Sequence, residues 1–422
     1  MLTKFRTFAT MKRAAWTLIL LSVTACFAPV AGQKYPFIRY DGNRLEYARQ
    51  SPSLGLFLSR WRQLEATGQG NLNIVHIGGS HVQAGTMSNA IRQHLMHAYP
   101  ALVSGRGMLF PYSAAARCNN PADYAVHCPQ KVVLTRNVYQ DHPQPLGLCG
   151  ISVTAADSLT EVGIVLRDTT VDYATTRIVA IGRSDQGVTP MLSLDGRLVF
   201  PSYVDPRTDR FVFNLAAAVD SFTLVLPCRA GESFTLTGLY LGNRRPGFSF
   251  HSVGANGASV PDYLRCPHLA RDLRLLHPDM VLFGLGINDA SKAGFDTAEF
   301  RRHYLELIDS VRAVNPDCAL VFITNNDSFK RLRRNRYEVN ANGALAREVF
   351  HRLARETGGV VWDQFAIMGG LRSMDRWRQA GLAQTDRVHF TRAGYQLLGD
   401  LFWEALLDAY RKHNPAPSRK TP

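Results

Sequence analysis

The stretch Leu72-Asn-Ile-Val-His-Ile77-Gly-Gly-Ser80-His81 decides the fold of this 422-residue chain. Its apolar start predicts a buried strand, and the residues from Ser80 to about His97 are typical of a helix. The two glycines permit a sharp turn, and the helix start that follows favours negative charge. This arrangement predicts a unit of a parallel α/β sheet with Ser80 at the carboxyl end of its strand. A serine that only caps its helix is the plainer interpretation of the turn.

After Phe248 the sequence again alternates apolar runs with helical patterns. Nearly continuous apolar runs are expected of parallel strands that are buried on both faces. The alternation predicts a doubly wound parallel sheet. The predicted strands are 280–284, 319–324 and 359–362, and the predicted helices are 260–276, 297–314, 338–357 and 391–411.

Between about residues 131 and 243 the periodicity changes to short runs that alternate every second residue. Several short strands separated by turn residues predict an all-β sandwich inserted into the α/β domain after its first unit. The predicted organisation is a signal peptide (1–32), the first part of the α/β domain (33–129), the inserted sandwich (130–246), the second part of the α/β domain (247–412) and a flexible tail (413–422).

The first residues have the pattern of an export signal. Basic residues, an apolar run over 14–23 and small residues at 30–32 follow one another as in a secretory leader. The apolar run is well short of the ~20 residues of a membrane span, and no later segment is apolar enough to cross a membrane. The sequence therefore predicts an exported protein, periplasmic or at the cell surface. A lipoprotein anchored through Cys26 is the alternative.

Cysteine usage fits an oxidising compartment. Seven cysteines become six if Cys26 leaves with the leader. An even number permits disulfides, for which Cys118 and Cys128 are the best candidates. Buried free thiols that act as small apolar residues are the alternative.

The chain is basic, with a formal net charge of +14. An exported basic protein suits anionic polymers such as cell-wall polysaccharides. No nucleic-acid-binding signature is visible, and the histidines show no spacing that indicates a metal site.

Polar and glycine-rich turns follow three further core segments. They are Ser252-Val-Gly-Ala-Asn-Gly-Ala258, Gly286-Ile-Asn-Asp289 and Thr385-Asp-Arg-Val-His-Phe-Thr391. An asparagine amide at 288 could donate to an oxyanion, although Asn-Asp could equally cap the next helix. In the last turn, Asp386 stands three residues before His389, so the carboxylate can orient an imidazole that faces Ser80.

Together these turns resemble the four conserved blocks of the SGNH, or GDSL-type, hydrolases. The resemblance covers about residues 70–112 and 248–411. It implies a flavodoxin-like parallel sheet, with Ser80 as nucleophile, His389 as its base and Asp386 orienting the base.

The resemblance also implies an oxyanion hole. Its donors would be the Ser80 N–H, the Gly257 N–H and the side-chain amide of Asn288. Gly254 replaces Gly257 if the glycine block is aligned three residues earlier.

Three further features resemble one branch of this family. They are Ser80-His81-Val-Gln83, the β insert, and the ending Val388-His-Phe-Thr-x-x-Gly-Tyr395. That branch contains peptidoglycan O-acetylesterases with an inserted, carbohydrate-binding-like β-sandwich. The resemblance implies an exported serine esterase that removes O-acetyl groups from a cell-wall or other polysaccharide through an acetyl-enzyme, with no cofactor and no metal.

One position departs from the family pattern. Gly79 stands where the family usually has aspartate, and this change could loosen the turn that holds the Ser80 N–H. Two other functions stay open: a polysaccharide O-acetyltransferase with the same triad, and a catalytically inactive glycan-binding protein.

Overall fold

The computed structural model describes residues 35–115, 119–142, 144–332 and 336–414. Contacts group the chain from Phe37 onward into one compact unit, apart from the residues up to Pro36. The predicted leader (1–32) with Cys26, the thiol of Cys118 and most of the predicted tail lie outside the described residues.

The described residues form short strands and mostly short helices. The strands are β1 Leu45–Glu46, β2 Asn71–Gly78, β3 Val103–Gly105, β4 Gly107–Leu109, β5 Tyr124–His127, β6 Val133–Arg136, β7 Ile151–Ala156, β8 Leu159–Leu166, β9 Arg177–Arg183, β10 Met191–Leu194, β11 Arg197–Val199, β12 Tyr203–Asp205, β13 Arg210–Asn214, β14 Ser221–Pro227, β15 Ser233–Gly242, β16 Gly247–Gly254, β17 Met280–Gly284, β18 Ala319–Ile323, β19 Phe329–Arg331, β20 Tyr337–Val339 and β21 Val360–Trp362. The α-helices are α1 Pro52–Thr67, α2 Ser80–Gln83, α3 Thr86–Ala98, α4 Val260–Leu264, α5 Leu269–Leu276, α6 Ile287–Ser291, α7 Thr297–Arg312, α8 Asn342–Thr357, α9 Gln364–Ile367, α10 Ser373–Gln379 and α11 Arg392–His413.

A mostly parallel sheet confirms the predicted α/β class. In the described residues its order is β1-β21-β18-β17-β2-β16-β3, and only β1 pairs with its neighbour in the antiparallel sense. The central strands β17 and β18 are apolar and almost wholly buried, and β2 and β16 are mostly buried with a few polar residues among the apolar ones. Burial of these runs is the reason that the segments form strands of a parallel sheet.

The strand order changes direction at β2. The chain first adds β16 and β3 on one side of β2 and then crosses to β17, β18 and β21 on the other. A change of this kind leaves a crevice beyond the carboxyl ends of the strands. Ser80, Gly257 and Asn288 follow β2, β16 and β17, which are neighbours in the sheet. The topology therefore brings three predicted site residues to the same crevice.

Two antiparallel sheets lie in the sequence between β3 and β16. One has the order β11-β10-β14-β8-β5, and the other has the order β12-β13-β9-β15-β7-β6 with β4 also paired to β15. They are consistent with the predicted all-β insert. Their first strands, β4 and β5, precede residue 130, the expected start of the insert.

Two predicted helices have different bounds in the structure. The segment 260–276 forms α4 and α5 rather than one helix, because Pro267 has no N–H to donate and its ring crowds the preceding turn. The helix expected from residue 338 begins at Asn342, since Tyr337–Val339 pairs with Phe329–Arg331 as a hairpin. The sequence predicts only a core segment where the structure has the parallel strand β16.

The described cysteines are free thiols. Cys149, Cys228, Cys266 and Cys318 are buried, and Cys128 is half-buried. For these residues the structure agrees with the alternative of small apolar side chains. Cys128 is a free thiol, so it does not form the predicted bridge to Cys118 in this structure.

Candidate active site

Ser80 begins the one-turn helix α2 directly beyond β2. Glycine is required before it at Gly78, where a Cβ would lie 2.2 Å from a methyl carbon of Val82. The turn is held by the carbonyl of Gly79, which accepts from the N–H groups of Val82 and Gln83 at 3.2 and 2.9 Å. The Oγ of Ser80 lies 2.8 Å from Nε2 of His389. The tight turn thus directs the hydroxyl at the imidazole predicted to activate it.

Asp386 orients His389 through the loop that precedes α11. Oδ2 of Asp386 lies 2.7 Å from Nδ1 of His389. Oδ1 accepts the backbone N–H groups of Val388 and His389 at 2.9 and 3.0 Å. Arg387 has a φ of +58°, and this left-handed turn lets the loop fold around the carboxylate. The structure therefore brings the three predicted triad residues together in hydrogen-bonding order.

The electrostatics of the pair favour a charged carboxylate. Burial alone would raise the pKa of Asp386, but the hydrogen bonds from His389 and from the two backbone N–H groups lower it to about 2. An ionised carboxylate at Nδ1 stabilises an imidazolium, so His389 is suited to accept a proton at Nε2.

The predicted oxyanion donors surround the same position. Gly257 has a φ of +81°, a conformation that favours glycine. Among the described residues, the N–H groups of Ser80 and Gly257 have no hydrogen-bond acceptor. The amide of Asn288 donates one hydrogen to the carbonyl of Ala258 at 2.9 Å, which leaves its second hydrogen for a ligand.

Gly254 is less suited to the oxyanion hole than Gly257. It lies inside β16, and its N–H points to the hydroxyl of Tyr112 at 3.4 Å. A Cβ at Gly254 would lie 2.4 Å from the backbone nitrogen of Gln83, so this glycine allows β16 to pack closely against α2. The structure thus favours the alignment that uses Gly257.

Gly79, the departure from the family pattern, lies against Asn288, a predicted oxyanion donor. A Cβ at position 79 would be 3.1 Å from Nδ2 of Asn288 and 3.3 Å from the carbonyl of Ala258. The turn keeps its hydrogen bonds to Val82 and Gln83 without an aspartate. The expected loosening is therefore not visible in the hydrogen bonding of this turn.

Two residues that sequence reasoning did not assign hold the Gly257 loop. Oε1 of the buried Gln83 accepts the N–H of Asn256 at 2.8 Å, and the guanidinium of Arg136 donates to the carbonyl of Asn256. The sequence indicates Gln83 only as part of the Ser-His-Val-Gln motif. Arg136 lies in β6, within the predicted insert. No local spacing links either residue to Asn256.

His251 has a structural role in the core. His251 is buried, and its Nδ1 accepts the backbone N–H of Met108 at 3.0 Å. Within the described residues, no three His, Cys, Asp or Glu side chains are arranged to hold a metal ion. None of the described helices is both long and apolar enough to cross a lipid bilayer.

Part of the second half of the chain is similar to a known family. Residues 233–397 match the GDSL-like lipase/acylhydrolase family. This segment contains Gly257, Asn288, Asp386 and His389, whereas Ser80 lies before it. The match confirms the resemblance predicted from the sequence blocks.

A curated relative and a solved structure extend the comparison. A multidomain esterase of Ruminococcus flavefaciens is 26% identical over 145 residues, which cover 34% of this chain and 17% of the relative. The chain thus matches about a sixth of that relative's length. These findings agree with the predicted class of carboxylic ester hydrolases.

The solved structure is that of a protein described as a peptidoglycan O-acetylesterase. It has a TM-score of 0.70 and 18% sequence identity, and the similarity covers 86% of this chain and 97% of the other. At this identity the likeness shows the fold.

Proposed function

Given the GDSL-like lipase/acylhydrolase match of residues 233–397, we propose that the chain is an exported serine esterase that removes O-acetyl groups from a polysaccharide. The observation that carries the proposal is the continuous hydrogen-bonded chain from Ser80 Oγ to His389 Nε2 (2.8 Å) and from His389 Nδ1 to Asp386 (2.7 Å). These hydrogen bonds lie at the point where the strand order changes direction, where ligands bind in sheets of this type.

In the first half of the reaction, Ser80 Oγ attacks the carbonyl carbon of the acetyl ester while His389 Nε2 accepts the serine proton. The negative charge that develops on the carbonyl oxygen is met by the N–H groups of Ser80 and Gly257 and by the Asn288 amide. The intermediate collapses, the bond from the acetyl carbon to the sugar oxygen breaks, and His389 returns the proton to that oxygen. An acetyl group remains on Ser80.

In the second half, a water molecule replaces the sugar. His389 Nε2 accepts one of its protons as the water oxygen attacks the acetyl carbon. Collapse then breaks the bond to Ser80 Oγ, which regains its proton from His389, and acetic acid leaves and ionises in water to acetate. Asp386 stays ionised throughout, in agreement with its lowered pKa.

The polysaccharide substrate is supported by charge and by fold. A net charge of +14 favours an anionic polymer. The protein that shares the fold over most of this chain is described as a peptidoglycan O-acetylesterase. We therefore include cell-wall peptidoglycan in the proposed substrate class.

Hydrolysis of p-nitrophenyl acetate tests the proposed reaction. The purified chain should hydrolyse the ester, and Ser80→Ala should lose on the order of 10³-fold or more in kcat. Ser158→Ala, a serine on an exposed turn of the insert, is the matched control and should keep full activity. Turnover by Ser80→Ala at the wild-type rate would remove the proposed nucleophile.

Acceptor choice separates the hydrolase from the transferase that the sequence left open. Turnover of an acetylated glycan should release free acetate in water. If the acetyl group appeared on an added glycan and no acetate accumulated, the same triad would serve an O-acetyltransferase.

Export is tested at the N-terminus. Protein recovered from the periplasm or cell surface should begin near Gln33. A lipid-modified Cys26 at the N-terminus would instead identify an anchored lipoprotein, and an intact leader on cytoplasmic protein would overturn the proposed export.

A further inference from the structure

His81 lies beside the triad, and the reaction described above does not use it. Its ring centroid is 5.1 Å from that of His389, with the planes inclined at 36°. Its Nδ1 forms a 2.8 Å hydrogen bond with the hydroxyl of Tyr395. His81 follows Ser80 in α2, while Tyr395 lies in the first turns of α11, directly after the loop of His389. The pair therefore connects the helix of the nucleophile to the helix behind the base.

We infer that His81 and Tyr395 are positioning residues that brace the imidazole of His389 toward Ser80. The inference rests on the proposed function. Asp386 contacts the ring of His389 only at Nδ1, since its other hydrogen bond to His389 is to the backbone N–H. The second hydrogen bond of the ring, from Nε2, is to Ser80 itself, so it is lost whenever Ser80 reacts, and the ring is then free to tilt about Nδ1. The ring of His81 limits this movement on one side, and the bond to Tyr395 limits the movement of His81.

Aromatic side chains pack closely around the pair of His81 and Tyr395, which forms the proposed brace. Phe390, the residue after the base, lies 5.9 Å from His81 and 5.4 Å from Tyr395 between ring centroids. Trp377 packs against Phe390 at 5.1 Å. Rings in such edge and tilted contacts have little room to rotate. The brace is thus supported by the core and is not a contact between two mobile surface side chains.

The brace is also electrically suited to its place. Burial, together with the nearby His389, lowers the pKa of His81 to about 3, so its ring stays neutral at ordinary pH. Burial raises the pKa of Tyr395, so its hydroxyl keeps its proton. The groups that face His81 are His389, Asp386 and Tyr395. A neutral partner does not oppose the positive charge that His389 acquires when it accepts the serine proton.

A cavity of about 40 Å³ is lined in part by His81. Polar side chains of Asn325, Asn326 and Gln364 contribute to its lining, and Nε2 of His81 is buried without a protein partner among the described residues. Apolar side chains form most of the remaining lining. Within the described residues, the Tyr395 hydroxyl at Nδ1 is therefore the hydrogen-bond partner that fixes the ring of His81.

Kinetics of His81→Leu, His81→Asn and Tyr395→Phe on p-nitrophenyl acetate test the brace. His81→Leu and Tyr395→Phe should each lower kcat roughly 10- to 100-fold with little change in KM, because a misplaced base affects the reaction more than binding. His81→Asn keeps a polar atom near the place of Nδ1 and should recover much of the loss. The exposed His97 provides the control His97→Leu, which should be unaffected.

The double variant distinguishes a brace from two separate effects. Combining His81→Leu with Tyr395→Phe should cost no more than His81→Leu alone, because both changes break one link. Losses that multiply, or normal kcat in folded His81→Leu, would overturn the brace. Tyr395→Phe removes a single oxygen, so it keeps the test valid if His81→Leu does not fold.

A second measurement needs no turnover. In NMR spectra of histidine-labelled protein, the ring signals of His389 should change in Tyr395→Phe and stay unchanged in His97→Leu. Unchanged His389 signals in Tyr395→Phe would overturn the brace. Absence of Ser80-dependent turnover in the wild type would instead count against the proposed function, so the two failures are distinguishable.

Discussion

The parallel sheet and the antiparallel sheets contribute to the candidate site in different ways. Every group in the proposed reaction follows a parallel strand or precedes α11, because strands that run in one direction end at a common edge. The antiparallel region supplies Arg136, which bonds the carbonyl of Asn256 beside Gly257. One region therefore holds the groups of the proposed reaction, and the other bonds a loop of the candidate site.

Three buried charged residues, Asp123, Arg92 and Arg106, form an ionic seam that joins the two regions. Asp123, just before β5, forms ion pairs with Arg92 of α3 at 3.2 Å and with Arg106, between β3 and β4, at 2.6 Å. Burial would raise the pKa of Asp123, but the two guanidinium groups lower it below its ordinary value. These charges are nearly inaccessible to water. Removal of the antiparallel region would therefore leave buried charges unpaired beside the parallel sheet.

The largest effects are expected from the triad. Ser80→Ala and His389→Ala should each reduce kcat on the order of 10³-fold or more, with the fold unchanged, since both residues lie at loop ends. Steady-state kinetics with circular dichroism check this. Near-normal turnover by either variant would break the assignment of the chemistry to the parallel region.

Removing the centre of the seam should affect stability most. Asp123→Ala leaves two buried guanidinium groups without their shared carboxylate and should cost about 3–5 kcal/mol in the free energy of unfolding. Asp185→Ala breaks an exposed ion pair with Arg183 and should cost at most about 1 kcal/mol. Equal urea midpoints for the two variants would show that the seam does not couple the regions.

Asn288→Ala tests the oxyanion hole. The variant should lower kcat roughly 10²–10³-fold, as expected for the loss of one preorganised donor. KM should change little, because the charge develops only in the transition state. An unchanged kcat would show that the amide serves only its 2.9 Å bond to Ala258.

Arg136→Leu tests the support that the insert gives to the site. Loss of its bond to Asn256 should loosen the Gly257 loop and reduce kcat on p-nitrophenyl acetate about tenfold, less than the loss of a direct donor. Arg197→Leu, an exposed arginine in β11, is the matched control. If both variants kept full activity, the antiparallel region would have no part in hydrolysis of a small ester.

The smallest effect at neutral pH is that of His251, which lies near the seam and lowers the stability only as the solution becomes acid. His251 of β16 accepts the N–H of Met108 in β4, and burial with the nearby Arg92 and Arg106 lowers its pKa to about 3. The unfolded chain binds this proton below about pH 6.5, so stability falls as the pH drops from about 6.5 toward 3. His251→Asn should flatten the dependence by up to about 1.4 kcal/mol per pH unit, and His97→Asn should not. Identical slopes for His251→Asn and wild type, from urea unfolding at several pH values, would contradict this account.

The sequence was most informative where function depends on a few adjacent residues. Ser80 with its glycines, Asn288, and Asp386 with His389 could be found because each occupies a short turn after or before a regular element. The parallel sheet could be predicted for a similar reason, since continuous apolar runs indicate strands that are buried on both faces.

Long-range contacts could not be predicted. Arg136 and Asn256 are 120 residues apart, and Gln83 and Asn256 are 173 apart. The later start of α8 likewise depends on the pairing of β19 with β20, which helical periodicity in the sequence does not predict. In each case the partner is set by tertiary packing, and a single sequence carries no local mark of it.

Detection of an acetyl-enzyme tests the central claim most directly. The chain should be mixed with an acetyl ester, quenched in acid and analysed by intact-protein and peptide mass spectrometry. The account predicts one added acetyl group, located on Ser80, and none in Ser80→Ala. Rapid acetate release with an acetyl group on another residue, or with the same adduct in Ser80→Ala, would contradict it.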